Sequence, residues 1–304
     1  MSAFWNTWRK EIIRGGALFV GVVAVGVFVR SFVVRVREGV VNELPAALRD
    51  LRGELGPELT GGPRATADPW TYRAKIAPRQ WVWIRNINGS VTVVPAKGDS
   101  LEVTAVKTYR RSDPASVRLV AVPYDGGVSI CAVWQNSGGC EPGGEGVKLK
   151  HGSARRNDVA VEFTVRLPRR VRVGATTVNG GVHVTGASAP IVASTVSGDV
   201  DAETSAGPVS AVSVNGGVRA RMRTFGDTGA VSLFTVNGPV TAELPPQLDA
   251  DVEATTINGS INTDYPLGVT GKYVSHKLKG TLGGGGRAVH ITTVNGSITL
   301  KKAL

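Results

Sequence analysis

The chain has 304 residues, enough for one large or two ordinary domains that bury a real core. Aromatic residues make up 6% and glycines number 39, which weighs against a helical bundle and for thin, turn-rich β architecture. Of the net charge of +11, residues 76–175 hold the largest share, with 15 Lys/Arg against 8 Asp/Glu, whereas residues 176–304 carry 9 of each. The repeats in that neutral part lack the basic stripe a nucleic-acid binder needs, so no nucleic-acid partner is expected.

Gly15 to Val34 (GGALFVGVVAVGVFVRSFVV) is an apolar run with Arg30 as its single charge, about the length that crosses a bilayer core. Arg30 lies near the end of the run, where its side chain reaches the headgroups, and Trp5 and Trp8 precede it at interfacial positions. The following VRVREGVV offers no small-residue cleavage site, so residues 1–37 are expected to be an uncleaved transmembrane helix that anchors the protein in a membrane. A buried strand pair and an amphipathic surface helix are the alternatives; Ala17 to Val29, apolar all round, speaks against the second. Arg9, Lys10 and Arg14 on one side nearly balance Arg30, Arg35 and Arg37 on the other, leaving orientation weakly determined. Residues 38–69 read as a short amphipathic helix, with Val41, Leu44, Leu48, Leu51 and Leu55 at helical spacing, followed by a flexible linker from Gly56 to Pro69. The folded domain is expected over residues 70–304, starting near Trp70.

Within it one phrase returns seven times: a β-branched residue, Asn-Gly, one further residue, and another β-branched residue. Its asparagines are Asn88, Asn179, Asn215, Asn237, Asn258 and Asn295, and one copy has Ser197 instead. Nine residues before the end of each copy stands a β-branched aliphatic: Val82, Val173, Ile191, Val209, Val231, Val252 or Val289. The unit is therefore two short strands at fixed offset, while the gaps between units vary as 82, 9, 9, 13, 12 and 28 residues. Length variation confined to one side of the unit predicts a β-solenoid or β-helix-like stack. Alternation through Val178, Gly180 and Val182 suggests an inward face that runs straight through the Asn-Gly, with the asparagines outward and stacked as an amide ladder. A two-residue hairpin at the Asn-Gly is the competing reading.

Between the first two units lies an insertion, residues 94–172, whose segments SLEVTAVKTY, SVRLVAVPY, GVSICAVW and DVAVEFTVRLP alternate like antiparallel strands with one wet face. Cys131 and Cys140 stand in its polar stretch CAVWQNSGGC. That stretch suits a loop closed by a disulfide in an oxidising compartment, the alternative being two unpaired thiols in a cytosolic protein.

The TVNGSI-type repeats, the Cys loop followed by DVAVEFTVRLP, and the tail DADVEATTINGSINTDYPL to ITTVNGSITL resemble the bacterial putative-adhesin family of β-strand repeats, a domain of unknown function. The resemblance covers roughly Trp81 to Lys302. It implies a β-solenoid-like fold associated with the cell envelope and carries over no catalytic residues.

Chemistry-bearing constellations are scarce. His151, His183, His276 and His290 have no partner at metal-ligand spacing. Asp199 and Asp201 share an outer face, but no second rung repeats the pair. The run Gly283 to Gly286 lacks the Lys-Ser/Thr of a phosphate loop and reads as a flexible turn. No enzymatic activity, metal or cofactor is expected. Two candidate binding surfaces remain: Arg219, Arg221 and Arg223, which alternate along one strand face and suit an acidic glycan, and Trp81 with Trp83, an aromatic platform if not buried. The expected protein is an all-β repeat with an inserted antiparallel segment, membrane-anchored and extracytoplasmic, binding an unknown surface glycan or protein or serving as a scaffold. A cytoplasmic scaffold that self-associates through rung edges is the alternative, and a polysaccharide-active β-helix enzyme is a third reading.

Overall fold

The computed structural model describes residues 64–135, 139–142, 157–225, 229–267, 269–270 (backbone only) and 276–303. The expected membrane anchor and amphipathic helix, most of the linker, and His151 lie outside them. Among the described residues, no helix is long and apolar enough to cross a membrane. The linker's last stretch departs from expectation: Ala65–Thr66 (β1) pairs with the insertion, so ordered structure begins before Trp70.

The fold is all-β. The second to seventh units each supply one strand to each of two sheets over a short bend: Arg172–Thr176 (β9) and Val182–Ala187 (β10), Ile191–Ser197 (β11) and Val200–Thr204 (β12), Val209–Asn215 (β13) and Val218–Met222 (β14), Val231–Asn237 (β15) and Val240–Leu244 (β16), Ala250–Asn258 (β17) and Ile261–Thr263 (β18), and Ala288–Asn295 (β21) and Ile298–Lys302 (β22). The first unit does the same with Trp81–Arg85 (β3) and Val91–Pro95 (β4). Equivalent strands pair in parallel and in register, Val82 with Val173, Ile191 with Val173, and Val200 with Val218. The nine-offset residues Val82, Val173, Ile191, Val209, Val231, Val252 and Val289 are all at most 1% exposed and form one inner column. Each such side chain removed from water contributes about 1.5–3 kcal/mol, which is what clamps the two sheets together.

The insertion caps one end. Ser100–Tyr109 (β5) pairs antiparallel with Ala160–Leu167 (β8), and Val117–Tyr124 (β6) antiparallel with Gly127–Trp134 (β7). Trp70–Lys75 (β2) also lies antiparallel on β5. Yet β7 and β8 themselves pair in parallel with β3 and β4. The inserted segment, expected to be antiparallel, thus supplies one further rung.

At the opposite end the order is not that of the chain. The C-terminal strands β21 and β22 lie between the fifth unit and the sixth: β21 pairs with both β15 and β17, and β22 with both β16 and β18. His276–Leu282 (β20) closes β17 antiparallel, with Val269–Thr270 (β19) outside it. The turn at Gly283 to Gly286 is held by Asp249, which accepts from Gly284 N at 2.8 Å, and by Asp251, which accepts from Gly286 N at 3.0 Å.

The bend corrects the expected face assignment. Thr195 is 3% exposed and points inward, while Val196 beside it is 41% exposed. Two inward residues separated by an odd offset require one reversal of alternation, and the Asn-Gly supplies it. The chain turns there from one sheet into the other, and no hairpin forms because partners come from neighbouring rungs. Gly180 and Gly198 adopt φ of +148°, and a Cβ on Gly198 would lie 2.2 Å from Gly180 O. Glycine is needed because the neighbouring rung's backbone occupies that space.

Candidate binding surface

Three columns run along the bend. Outermost is the expected asparagine ladder: Asn179 Nδ2 donates to Asn88 Oδ1 at 2.7 Å, Asn237 to Asn215 at 2.8 Å, Asn295 to Asn237 at 2.7 Å and Asn258 to Asn295 at 2.7 Å. Ser197, between Asn179 and Asn215, divides it in two. Next comes the glycine column. Beneath it lies a third column that the sequence pattern alone did not reveal: Thr177, Thr195, Ser213, Thr235, Thr293 and Thr256 are buried, and each hydroxyl donates to the glycine carbonyl of the adjoining rung at 2.7–3.0 Å. In the first unit Asn86 replaces the hydroxyl, donating to Gly89 O at 3.0 Å and Val161 O at 2.8 Å. The signal was present in the chain, a Ser, Thr or Asn always two residues before the ladder position.

The arginine face is not a free basic strip. The neighbours of β14 are acidic, with Asp201 opposite Arg219, and Glu203 and Glu243 flanking Arg221. Arg221 Nε donates to Glu243 Oε2 at 2.6 Å, and its Nη1 lies 3.6 Å from Glu203 Oε2. The hydrogen bond to Glu243, followed by that residue's charge, holds the guanidinium above its ordinary range; the same bond, against a smaller burial penalty, holds the Glu243 carboxyl below its own. Cross-strand ion pairs of this kind specify register more than they stabilise. Arg219 and Arg223 remain exposed, Arg223 beyond the end of its strand.

Trp81 and Trp83 stack with ring centroids 4.7 Å apart. Trp83 is only 6% exposed and covers Gly174, where a Cβ would strike its ring at 1.9 Å, so burial is the outcome for this half of the platform. Trp81 stays partly exposed, with the Arg172 guanidinium 5.7 Å from its ring centroid. The Cys131–Cys140 disulfide closes the loop beside this face, with Cys140 Sγ 3.7 Å from Ser129 O. Among the described residues, no group of three His, Cys, Asp or Glu is placed to hold a metal ion. Asp199 is a structural acceptor, taking Gly217 N at 2.7 Å, and Asp201 meets His183 Nδ1 at 3.0 Å.

Two sheets of in-register parallel strands, crossed by polar and glycine columns at each bend, define a stacked β-repeat domain. Residues 161–301 match the family model described as Toastrack DUF4097. Among solved structures, a putative cell adhesion protein from Clostridium sporogenes is 12% identical, with 78% of this chain and 100% of that one covered at a TM-score of 0.40. A putative adhesin from Bacteroides fragilis is 10% identical, with coverage of 78% and 97% and a TM-score of 0.27. Likenesses this distant carry no information about ligand or activity. No curated protein matches the sequence.

Proposed function

We propose that this chain is a non-enzymatic, membrane-anchored β-repeat protein of the cell envelope, whose stacked domain lies outside the cytoplasm and works in binding or scaffolding. The observation that carries the reading is the Cys131–Cys140 disulfide, a bond that persists in oxidising compartments and is rare where thiols are kept reduced. The apolar run from Gly15 to Val34 is the proposed anchor. Self-assembly of a cytoplasmic scaffold through rung edges has little parallel edge to use. Antiparallel strands β5, β6 and β20 cover three of the four sheet ends, leaving β18 as the last strand of its sheet among the described residues.

Intact cells treated with a membrane-impermeant maleimide, with and without prior reduction, test this reading. Labelling of Cys131 and Cys140 only after reduction is the expected result. Thiols that react without reductant, and only after lysis, would place the domain in the cytoplasm and end the proposal.

A further inference from the structure

We propose that the turns feeding β3 and β9 form a binding site for the carboxylates of an acidic glycan, an inference that rests on the binding role above and names its ligand class. Pro78-Arg79-Gln80 leads into β3 and Pro168-Arg169-Arg170-Val171 into β9. Because β3 and β9 are parallel neighbours, with Trp81 opposite Arg172, the two turns stack, and Arg79 N donates to Arg170 O at 2.7 Å. Arg79 (φ 70°) and Arg170 (φ 60°) are the only non-glycine residues with positive φ among the described residues. Glycine or asparagine adopts that conformation at lower cost. Arginine at both stacked positions therefore gives up backbone stability for a guanidinium held at that place.

The surroundings fit a ligand. A groove of about 470 Å³ opens beside the turn into β9, lined in part by Arg169, Arg170, Thr185, Ser188 and Ser205. Ser188 Oγ accepts from Arg170 N at 2.9 Å, which leaves its own hydrogen to donate. Arg172, opposite Trp81 on β9, lies with its guanidinium over that ring. Among the described residues, none of Arg79, Arg169, Arg170 and Arg172 is ion-paired, whereas Arg73, Arg166 and Arg221 each meet a glutamate. Planar guanidinium forks match carboxylates bidentately, and hydroxyls hydrogen-bond the hydroxyls of sugar rings. A single-stranded nucleic acid would instead need a longer basic track with successive aromatic platforms.

The test is titration of the full-length protein in neutral detergent with oligogalacturonate, with a neutral maltooligosaccharide of equal length as control, alongside melting of each variant. Arg79→Gly and Arg170→Gly remove charge while suiting the local backbone. Each should weaken oligogalacturonate binding by about tenfold or more, with the melting temperature unchanged or raised. Arg169→Gln, at an ordinary backbone position, should also weaken binding. Absence of oligogalacturonate binding, or binding that all three variants leave intact, overturns the proposal, as does tighter binding of polyphosphate or duplex DNA. A fall in melting temperature with Arg79→Gly and Arg170→Gly, together with unchanged binding in Arg169→Gln, would make the turns structural. Failure here with the domain outside the cytoplasm leaves the general binding role standing; a cytoplasmic domain removes both.

Discussion

At the scale of single residues, the bend is where most of the specificity resides. A methyl group on Gly198 would meet the Gly180 carbonyl at 2.2 Å in a backbone conformation only glycine takes easily. Gly198→Ala is therefore expected to destabilise the domain by about 3 kcal/mol or more in chemical unfolding. Gly98→Ala, with nothing within 4 Å, is the control and should cost far less. Ser197→Asn should act in the opposite direction. It would donate to Asn179 and accept from Asn215, joining the two halves of the ladder for about 0.5–1 kcal/mol of added stability, and a lower melting temperature would refute the ladder's contribution. The outer asparagines were legible in the sequence because an amide that returns at the same outward position of nearly every unit can bond to its own copy one rung away. The hydroxyl column beneath left only a Ser, Thr or Asn two residues before each ladder position, and threonine is equally at home on a wet strand face, so only burial distinguishes the two settings.

At the scale of strands, the repeat announced its own geometry more fully than simple alternation suggested. The offset of nine between inner residues is odd, so a single face could never run unbroken from Val173 to Val182. That arithmetic lies in the sequence, whereas the cross-strand charges do not, since which strand lies beside β14 is a fact of the stack. Arg219, Arg221 and Arg223 look like a basic strip on one strand and become part of an alternating row once Glu203 and Glu243 flank it. The row has a pH signature. The hydrogen bond from Arg221 depresses the folded-state pKa of Glu243, so its contribution is full above the unfolded carboxylate value of about 4.3 and is lost as pH falls through the folded value. Because the Arg221 side chain is 43% exposed, the contribution is about 0.5–1 kcal/mol. Glu243→Gln should lower stability by that amount at neutral pH and converge with the parent protein in strong acid. A gap that stayed constant across the titration would assign the effect to packing.

At the scale of the whole domain, the decisive feature is one that sequence could not disclose. The fifth, sixth and seventh units carry the same inner valine, hydroxyl, asparagine and glycine, so the orders five-six-seven and five-seven-six satisfy the columns equally well. The order five-seven-six is stabilised by contacts outside the repeat, namely β20 closing the far edge of β17 and Tyr265, whose hydroxyl donates to Leu244 O at 2.9 Å and bridges the sixth unit to the fifth. The last unit of the chain thereby holds the stack together at this end. In a stacked array each rung is stabilised chiefly by its immediate neighbours, so removal of one exposes two edges. Deleting residues 287–304 takes away β21 and β22 and leaves every residue of β17 and β18 in place. Amide protection in Val252 to Asn258 is then expected to fall to that of an isolated hairpin, while β11 and β13, several rungs away, keep theirs. Native-state hydrogen exchange on the truncated and intact chains reads this directly. If β17 stays protected, the sixth unit has moved onto the fifth through their matching columns, and the C-terminal rung would be an addition to the stack instead of its joint.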